Sequence, residues 1–258
     1  MGFRINTNVP SLAAQRSLEV NSSQREQSLS KLSSGTRINR SADDAAGLAI
    51  SEKLKATIRS TDQATRNAND GISMIQVAEG GLNEASNILI RMRELGMQSS
   101  SDTVGDSERK FTDLEYQNLK EEVERISQVT EFNGMKLLNG EAEKYDFQIG
   151  VNNDDFQDRI QYNASMSNST ASSLGIDSLE VASKEGAQAS LASVDNAIQN
   201  ISGQRANLGA VQNRLTSTVQ NLQVTSENLS SANSRIRDTD YAAETAKQTK
   251  LNILTQAG

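Results

Sequence analysis

The sequence predicts a mainly α-helical protein, built as a long antiparallel helical bundle or coiled coil with a small β-hairpin region. Two long segments carry apolar residues at every third or fourth position, which is typical of helices packed along one face. The chain has one proline in 258 residues, so these segments contain no helix breaker. Between them, a stretch at about 133–162 has the turn signals and alternation of a β-hairpin.

The first long helix is predicted over about 44–100, as one helix or two nearly collinear ones. Gly80 and Gly81 interrupt it, and each costs about 1 kcal/mol of helix stability relative to alanine. The apolar seam advances in steps of three and four through Ala68, Ile72, Ile75, Ala78, Leu82, Ala85, Leu89, Met92 and Leu95.

A shorter helix is predicted over 107–129, with Asp106 or Ser107 as its N-cap. Its expected inward residues are Phe111, Leu114, Tyr116, Leu119, Val123 and Ile126. The second long helix is predicted over about 186–236, with Arg205 at a position where the pattern calls for an apolar residue. Its seam contains Leu191, Val194, Ile198, Ile201, Leu208, Val211, Leu215, Val219, Leu222, Leu229 and Ile236.

The two ends of the chain carry much weaker patterns. Residues 1–34 have a thin apolar stripe that Gly35 is expected to close, and residues 242–258 are weakly amphipathic. Such helices are marginal alone in water because nucleation is costly and little apolar surface is buried. We therefore expect the ends to be disordered in the monomer and to order against each other or against neighbouring copies.

The composition excludes several classes of function. The chain has no cysteine, histidine or tryptophan, and aromatic residues make up 3% of it. It therefore lacks disulfides, thiol nucleophiles and the commonest general base. Its net charge of −7 argues against nucleic-acid binding, and it has neither a transmembrane-length apolar run nor a signal-peptide core. We expect no enzyme activity, no cofactor, no metal and no membrane partner.

Charge is distributed unevenly along the chain. Residues 1–42 contain six basic and two acidic side chains, whereas residues 101–158 contain six basic and fifteen acidic ones. Solvated helix faces explain most such charges, but a basic arm and an acidic middle also attract each other between copies. The carboxylate pairs Asp43-Asp44 and Asp238/Asp240 have no phosphate loop or basic cleft near them, which favours caps or local salt bridges over a metal site.

Several ordered motifs resemble those of bacterial flagellins. They are Phe3-Arg4-Ile5-Asn6-Thr7-Asn8, Leu32-Ser33-Ser34-Gly35-Thr36-Arg37-Ile38-Asn39, Asp43-Asp44-Ala45-Ala46-Gly47-Leu48-Ala49-Ile50, Thr130-Glu131-Phe132-Asn133-Gly134 and Ser234-Arg235-Ile236-Arg237-Asp238-Thr239-Asp240-Tyr241-Ala242. The resemblance spans essentially the whole chain. It implies assembly roles for the signature residues Leu32, Gly35, Arg37, Ile38, Asn39, Asp43, Asp44, Gly47, Asn133, Gly134, Ile236, Asp238, Asp240 and Tyr241.

The resemblance implies a structural subunit of the flagellar filament, self-assembling for motility. An inner domain would pair residues 1–42 with 238–258, and a helical-bundle domain would comprise residues 43–237, with no variable outer domain. Family members continue past Gly258 into a further apolar helical stretch, so the inner domain is expected to be incomplete in this sequence. The resemblance also implies secretion by type III export to an extracellular flagellum, with an export chaperone, a cap protein and hook-junction proteins as partners.

The resemblance further implies that host Toll-like receptor 5 binds the second half of the first long helix. The receptor-contact candidates are Leu89, Arg91, Arg93, Leu95 and Glu115. Leu95 falls on the apolar seam, which favours a place in the core or in a contact between copies. Two alternatives to a filament subunit stay open at this point, a hook–filament junction protein and a secreted coiled-coil adhesin or effector.

Overall fold

The structure is a computed structural model that describes residues 8–141 and 144–257. It is mainly helical, as predicted. The helices are α1 (Val9–Ser34), α2 (Ala45–Ser99), α3 (Asp106–Val129), α4 (Ala171–Leu174), α5 (Lys184–Arg237) and α6 (Tyr241–Ala257), with a 3-10 turn at Ala164–Ser167. The strands are β1 (Glu131–Phe132), β2 (Met135–Lys136), β3 (Tyr145–Gln148) and β4 (Arg159–Tyr162).

The chain divides into two compact units. The terminal unit comprises Met1–Arg59 and Val224–Gly258, and the bundle unit comprises Ser60–Gln223. Residues 3–7 of the first motif and Gly258 lie outside the described residues. No helix within the described part of the chain combines the length and the apolarity needed to cross a membrane.

The bundle unit contains one continuous hydrophobic core, to which the seam of α2 contributes most. The seam residues from Ala68 to Leu95 are at most 2% exposed, apart from the half-buried Ile72. On α5, Val194, Ile201, Leu208 and Leu215 are at most 1% exposed and Val211 is also buried, whereas Ile198, Val219 and Leu222 are only half-buried. The predicted seams are therefore confirmed, and the one on α5 weakens towards its C-terminal end.

The predictions for α3 were partly wrong. Phe111 and Leu114 were expected inward but are 75% and 64% exposed, and its buried face includes Tyr116 and Val123. The N-cap is Gly105 and makes no side-chain bond. The buried face of α3 begins instead at Arg109 and Thr112, so the polar N-terminal turn faces the protein and Phe111 faces solvent. The Arg109 guanidinium donates to the carbonyl oxygens of Ser99 and Ser101 and pairs with Asp106 at 2.8 Å.

The predicted β-hairpin region consists of two small antiparallel sheets. In the first, β1 pairs with β2 through the turn Asn133-Gly134, and both turn residues have positive φ, 50° and 78°. Hairpin turns of this kind favour Asn-Gly because their twist matches that of the strands. In the second, β3 pairs with β4, and the rings of Tyr145 and Tyr162 stack with centroids 6.2 Å apart.

The two glycines in the α2 seam differ in the space around them. A Cβ on Gly81 would lie 2.7 Å from the Thr130 hydroxyl oxygen and 2.8 Å from Leu138 Cδ1, whereas a Cβ on Gly80 would meet nothing within 4 Å. Gly81 therefore permits the close approach of α2 to the start of the first hairpin. Gly80 lowers helix stability but permits no comparable close contact.

We predict opposite effects for alanine at these neighbouring positions. Gly80→Ala should raise the free energy of unfolding by about 0.5–1 kcal/mol, because alanine loses less backbone entropy in a helix. Gly81→Ala should lower it by about 1–3 kcal/mol through overpacking against Thr130 and Leu138. Chemical denaturation of the two variants in parallel measures the difference, and equal shifts of the same sign would contradict the packing role of Gly81.

A second prediction concerns alkaline pH. Tyr116 is fully buried, and this burial raises its pKa to about 12. Above about pH 10 the unfolded chain releases the phenolic proton while the folded chain keeps it, so stability falls as pH rises. The loss should be about 1.4 kcal/mol at pH 11 and about 2 kcal/mol at pH 12. Denaturation of Tyr116→Phe at pH 8 to 11, next to the parent protein, should show a smaller alkaline loss.

Candidate assembly joint and receptor-contact surface

Most of the signature residues lie in one joint, formed by residues 35–47 and 236–241 of the terminal unit. Gly35 ends α1 in the left-handed conformation with φ 70°, which glycine adopts without strain. The chain then pairs with the C-terminal segment, since the Arg37 N–H donates to the Arg237 carbonyl at 2.6 Å and the Thr239 N–H donates to the Gly35 carbonyl at 3.0 Å. Backbone bonds therefore tie the two ends of the chain together at this joint.

Side chains reinforce the same connection. The Arg37 guanidinium donates to the carbonyl of Ile236 at 2.8 Å, and the Tyr241 hydroxyl donates to the carbonyl of Leu32. Arg237 pairs with Glu52 at 2.5 Å and its hydrogen bond lowers the pKa of that carboxyl group. Residues of the N-terminal motif are thus in direct contact with residues of the C-terminal motif.

The paired carboxylates act as backbone caps in this joint. Asp43 Oδ2 accepts from the N–H groups of Asn39 and Arg40, both at 3.0 Å, and these bonds, Arg40 first, lower the pKa of Asp43. Asp44 Oδ1 accepts from the Gly47 N–H at 2.8 Å. Among the described residues no three acidic side chains are grouped so as to hold a metal ion. These hydrogen bonds confirm the expected capping role of Asp43 and Asp44.

Three further signature residues have definite local roles. A Cβ on Gly47 would lie 2.8 Å from Cδ1 of Ile38, which is 2% exposed, so the small residue lets the chain pack against it. Asp240 Oδ1 accepts from the N–H groups of Ala242 and Ala243 at 3.0 and 3.1 Å and caps α6. Asn39 Nδ2 donates to the Ser34 hydroxyl at 2.8 Å. Of the remaining three, Asp238 forms an isolated antiparallel β-bridge with Thr36 in the joint, and Asn133 and Gly134 form the β1–β2 turn of the bundle unit.

The helices beyond the joint leave apolar side chains in solvent. Helix α1 packs on α6, with the Ser28 hydroxyl 3.5 Å from the Glu244 carbonyl, and Ser28 is the one buried residue of α1. On α6, Leu251 is buried. The large exposed apolar residues on these two helices are Val9, Leu12, Val20, Leu29, Tyr241, Ile253 and Leu254.

The receptor-contact candidates divide into exposed and buried residues. Arg91 lies on the surface of α2, and its guanidinium pairs with Glu94 and with Glu115 of α3, both at 2.9 Å. Arg93 pairs with Asp195 of α5 at 2.6 Å. All of these side chains are about half exposed, so the ion pairs stabilise the fold weakly but hold the charged groups in a fixed pattern.

Leu89 and Leu95 were also named as receptor-contact candidates, but they are 0% and 2% exposed. They lie on the inner seam of α2, and this burial disfavours a direct contact with a partner. The alternative of a core position is confirmed for Leu95.

Two kinds of surface residue were not predicted from the sequence. Phe111 and Leu114 were assigned to the core because apolar spacing alone does not decide which face of a short helix is inward. Phe156 was not singled out, although it is 93% exposed in the loop between β3 and β4. The signal that could have found it is the local run Asp154-Asp155-Phe156, an aromatic residue in an acidic turn.

Comparison with known proteins gives consistent matches over nearly the whole chain. The family model of the bacterial flagellin N-terminal helical region matches residues 5–143. The family model of the bacterial flagellin C-terminal helical region matches residues 191–258. A flagellin of Halalkalibacterium halodurans is 44% identical over 253 residues, covering 98% of this chain and 92% of the relative. A flagellin of Bacillus subtilis is 42% identical over 288 residues, covering 99% of this chain and 93% of the relative.

Solved structures agree with this match. The crystal structure of Bacillus cereus flagellin has a TM-score of 0.54 and 30% identity, and the similarity covers 61% of this chain and 88% of that one. A putative flagellar hook-associated protein from Vibrio parahaemolyticus has a TM-score of 0.61 at 17% identity, covering 76% of this chain and 100% of that one. At that identity the second likeness concerns the fold alone.

Proposed function

Because the chain belongs to the bacterial flagellin family, and is therefore a structural subunit of the flagellar filament and no enzyme, we propose that its two terminal segments make the contacts between subunits. The filament is a self-assembling polymer of like subunits outside the cell body. The observation that carries the proposal is the high share of large apolar side chains left exposed on α1 and α6.

These side chains favour contacts with other copies for an energetic reason. Each buried leucine or isoleucine side chain contributes about 1.5–3 kcal/mol relative to full exposure, and such residues gather on two helices that are thinly buried within one subunit. Neighbouring subunits supply the missing apolar surface. We keep the proposed division into an inner domain, residues 1–42 with 238–258, and a bundle domain, residues 43–237. That the two ends are disordered in the isolated monomer stays a prediction.

We predict that Leu12→Asp blocks assembly while leaving the monomer folded. Leu12 is 53% exposed, so the charge is tolerated in one subunit but would be buried in the polymer. Polymerisation onto sheared filament seeds, followed by light scattering and electron microscopy, should show no elongation, with an unchanged circular dichroism spectrum. Gln24→Asp places the same charge at an exposed polar position of α1 and is the control. Normal elongation by Leu12→Asp would contradict a role for this surface.

The proposed partners follow from the same assignment. We propose that the subunit is secreted through the type III flagellar apparatus, held by an export chaperone, and placed between hook-junction proteins and a cap protein. Ile253 and Leu254, 60% and 42% exposed on α6, support a chaperone site at the C-terminal segment. Flagellin relatives at 40% identity and above favour a filament subunit over the hook–filament junction and adhesin alternatives.

We also propose that host Toll-like receptor 5 binds the exposed charged surface of α2 and α3. Arg91, Arg93 and Glu115 remain as contact candidates once the buried leucines are set aside. Their ion pairs support the proposal, because they hold the guanidinium groups in place before a partner arrives. Arginine is also enriched among the few interface residues that contribute most of the binding free energy.

We predict that Arg91→Ala weakens receptor activation about tenfold or more, since a lost charged contact costs roughly 1.5–3 kcal/mol. The measurement is a dose–response curve in reporter cells that express the receptor. Arg66→Ala is the matched control, because Arg66 lies on the same helix and donates only to Gln63 among the bonds described for it. Unchanged potency of Arg91→Ala, with the helical content intact, would remove this proposal.

A further inference from the structure

The chain contains two Asn-Gly pairs, Asn133-Gly134 and Asn139-Gly140. An asparagine before glycine is especially prone to lose its side-chain amide, because glycine has no Cβ to hinder attack by its own backbone nitrogen on the preceding side chain. Every other asparagine of the chain is followed by a residue that has a side chain. The fold then decides which of the two pairs reacts.

The pair Asn133-Gly134 is held in a turn that opposes the reaction. Both residues have positive φ, as a type I′ turn requires, and β1 and β2 pair directly beside them. A five-membered ring needs the Asn133 Cβ and the Gly134 nitrogen on the same side of the Cα–C bond, so the peptide unit must turn over. That change gives a type II′ turn, which favours glycine and not asparagine at its first central position. The paired strands therefore protect Asn133.

The pair Asn139-Gly140 has different surroundings. In the part of the chain that the structure describes, no backbone hydrogen bond joins either residue to the rest of the protein. The Asn139 side-chain oxygen Oδ1 accepts from the Glu141 N–H at 3.1 Å. Since this oxygen gains negative charge when Cγ is attacked, a donor already placed on it favours the reaction. The backbone at Asn139 is thus free to rotate, and its amide is polarised.

The fold also retains glycine at position 140. Gly140 has φ 76°, a conformation that other residues adopt only with strain. A Cβ at this position would collide with the side chain of Asn168. The structure therefore keeps, directly after Asn139, the residue that hinders ring closure least.

We propose that Asn139 is the deamidation site of the folded chain, with the backbone nitrogen of Gly140 as the nucleophile. This nitrogen bonds to Asn139 Cγ, the Cγ–Nδ2 bond breaks, and ammonia leaves with the proton of the glycine nitrogen. Water then opens the cyclic imide at either carbonyl group, which gives aspartate or isoaspartate at position 139. Nothing is oxidised or reduced, and each chain gains one negative charge.

The isoaspartate product disturbs a contact of the bundle unit. Leu138 is fully buried, and its carbonyl accepts from the Ser169 N–H at 2.9 Å. Isoaspartate lengthens the main chain by one methylene group directly after this anchored residue. It therefore displaces Gly140 from its place against the Asn168 side chain.

Peptide mapping by mass spectrometry tests the assignment, because trypsin places the two pairs in separate peptides, residues 126–136 and 137–144. The full chain is incubated at mildly alkaline pH in heavy-oxygen water and is then digested in ordinary water. Peptide 137–144 should take up solvent oxygen roughly tenfold or more faster than peptide 126–136, because Asn133 must first leave its paired turn.

The same chain unfolded in guanidinium chloride is the matched control, because there both pairs are unrestrained and should react at similar rates. Asn139→Gln should abolish the uptake in peptide 137–144 and leave that in peptide 126–136 unchanged, since glutamine would have to form a larger ring. Equal rates for the two peptides in the folded chain, or a faster reaction of peptide 126–136, would overturn the inference. So would the absence of uptake in peptide 137–144 of the folded parent chain.

Discussion

Burial of the α2 seam is the constraint on which the bundle unit depends. Its apolar side chains, from Ala68 to Leu95, share one core with residues of α3, both hairpins and α5. Alternating small and large residues let these elements approach closely, and at Gly81 the first hairpin fills space that any side chain would occupy. Without this seam the other elements would have no common apolar surface, because each of them is amphipathic or very short.

One polar position in the opposite seam shows how the register of the bundle is fixed. Arg205 stands among the apolar residues of α5, and its guanidinium lies 3.8 Å from the carboxylate of Glu79 on α2. The pair is partly exposed, so it contributes little to stability. A shift of α5 by one turn would bring the charge against apolar side chains such as Leu82, which is costly. A single polar residue in a helical seam therefore disfavours other registers more than it stabilises this one.

Most of the fold could be predicted from the sequence because long periodic segments average over many positions. The α2 seam, the Gly35 terminus and the Asn133-Gly134 turn each follow from a local rule. The failures concern positions where one tertiary contact outweighs the pattern. The inward face of α3 includes the buried guanidinium of Arg109, so Phe111 faces solvent. The burial of Leu89 was visible in its seam position, yet the family resemblance placed it at a surface.

The terminal unit and the bundle unit differ in how far they bury their own apolar side chains. The bundle unit completes its core within one chain, whereas the joint of the terminal unit is made of backbone bonds, caps and ion pairs such as Arg237 with Glu52. Polar contacts of this kind fix geometry but contribute little net free energy. If another subunit covers Leu12 and Ile253, as proposed above, the helices beyond the joint gain most of their stability on assembly. Under that proposal, ordering of the ends and addition to the polymer are one coupled step, and assembly itself stabilises the terminal helices.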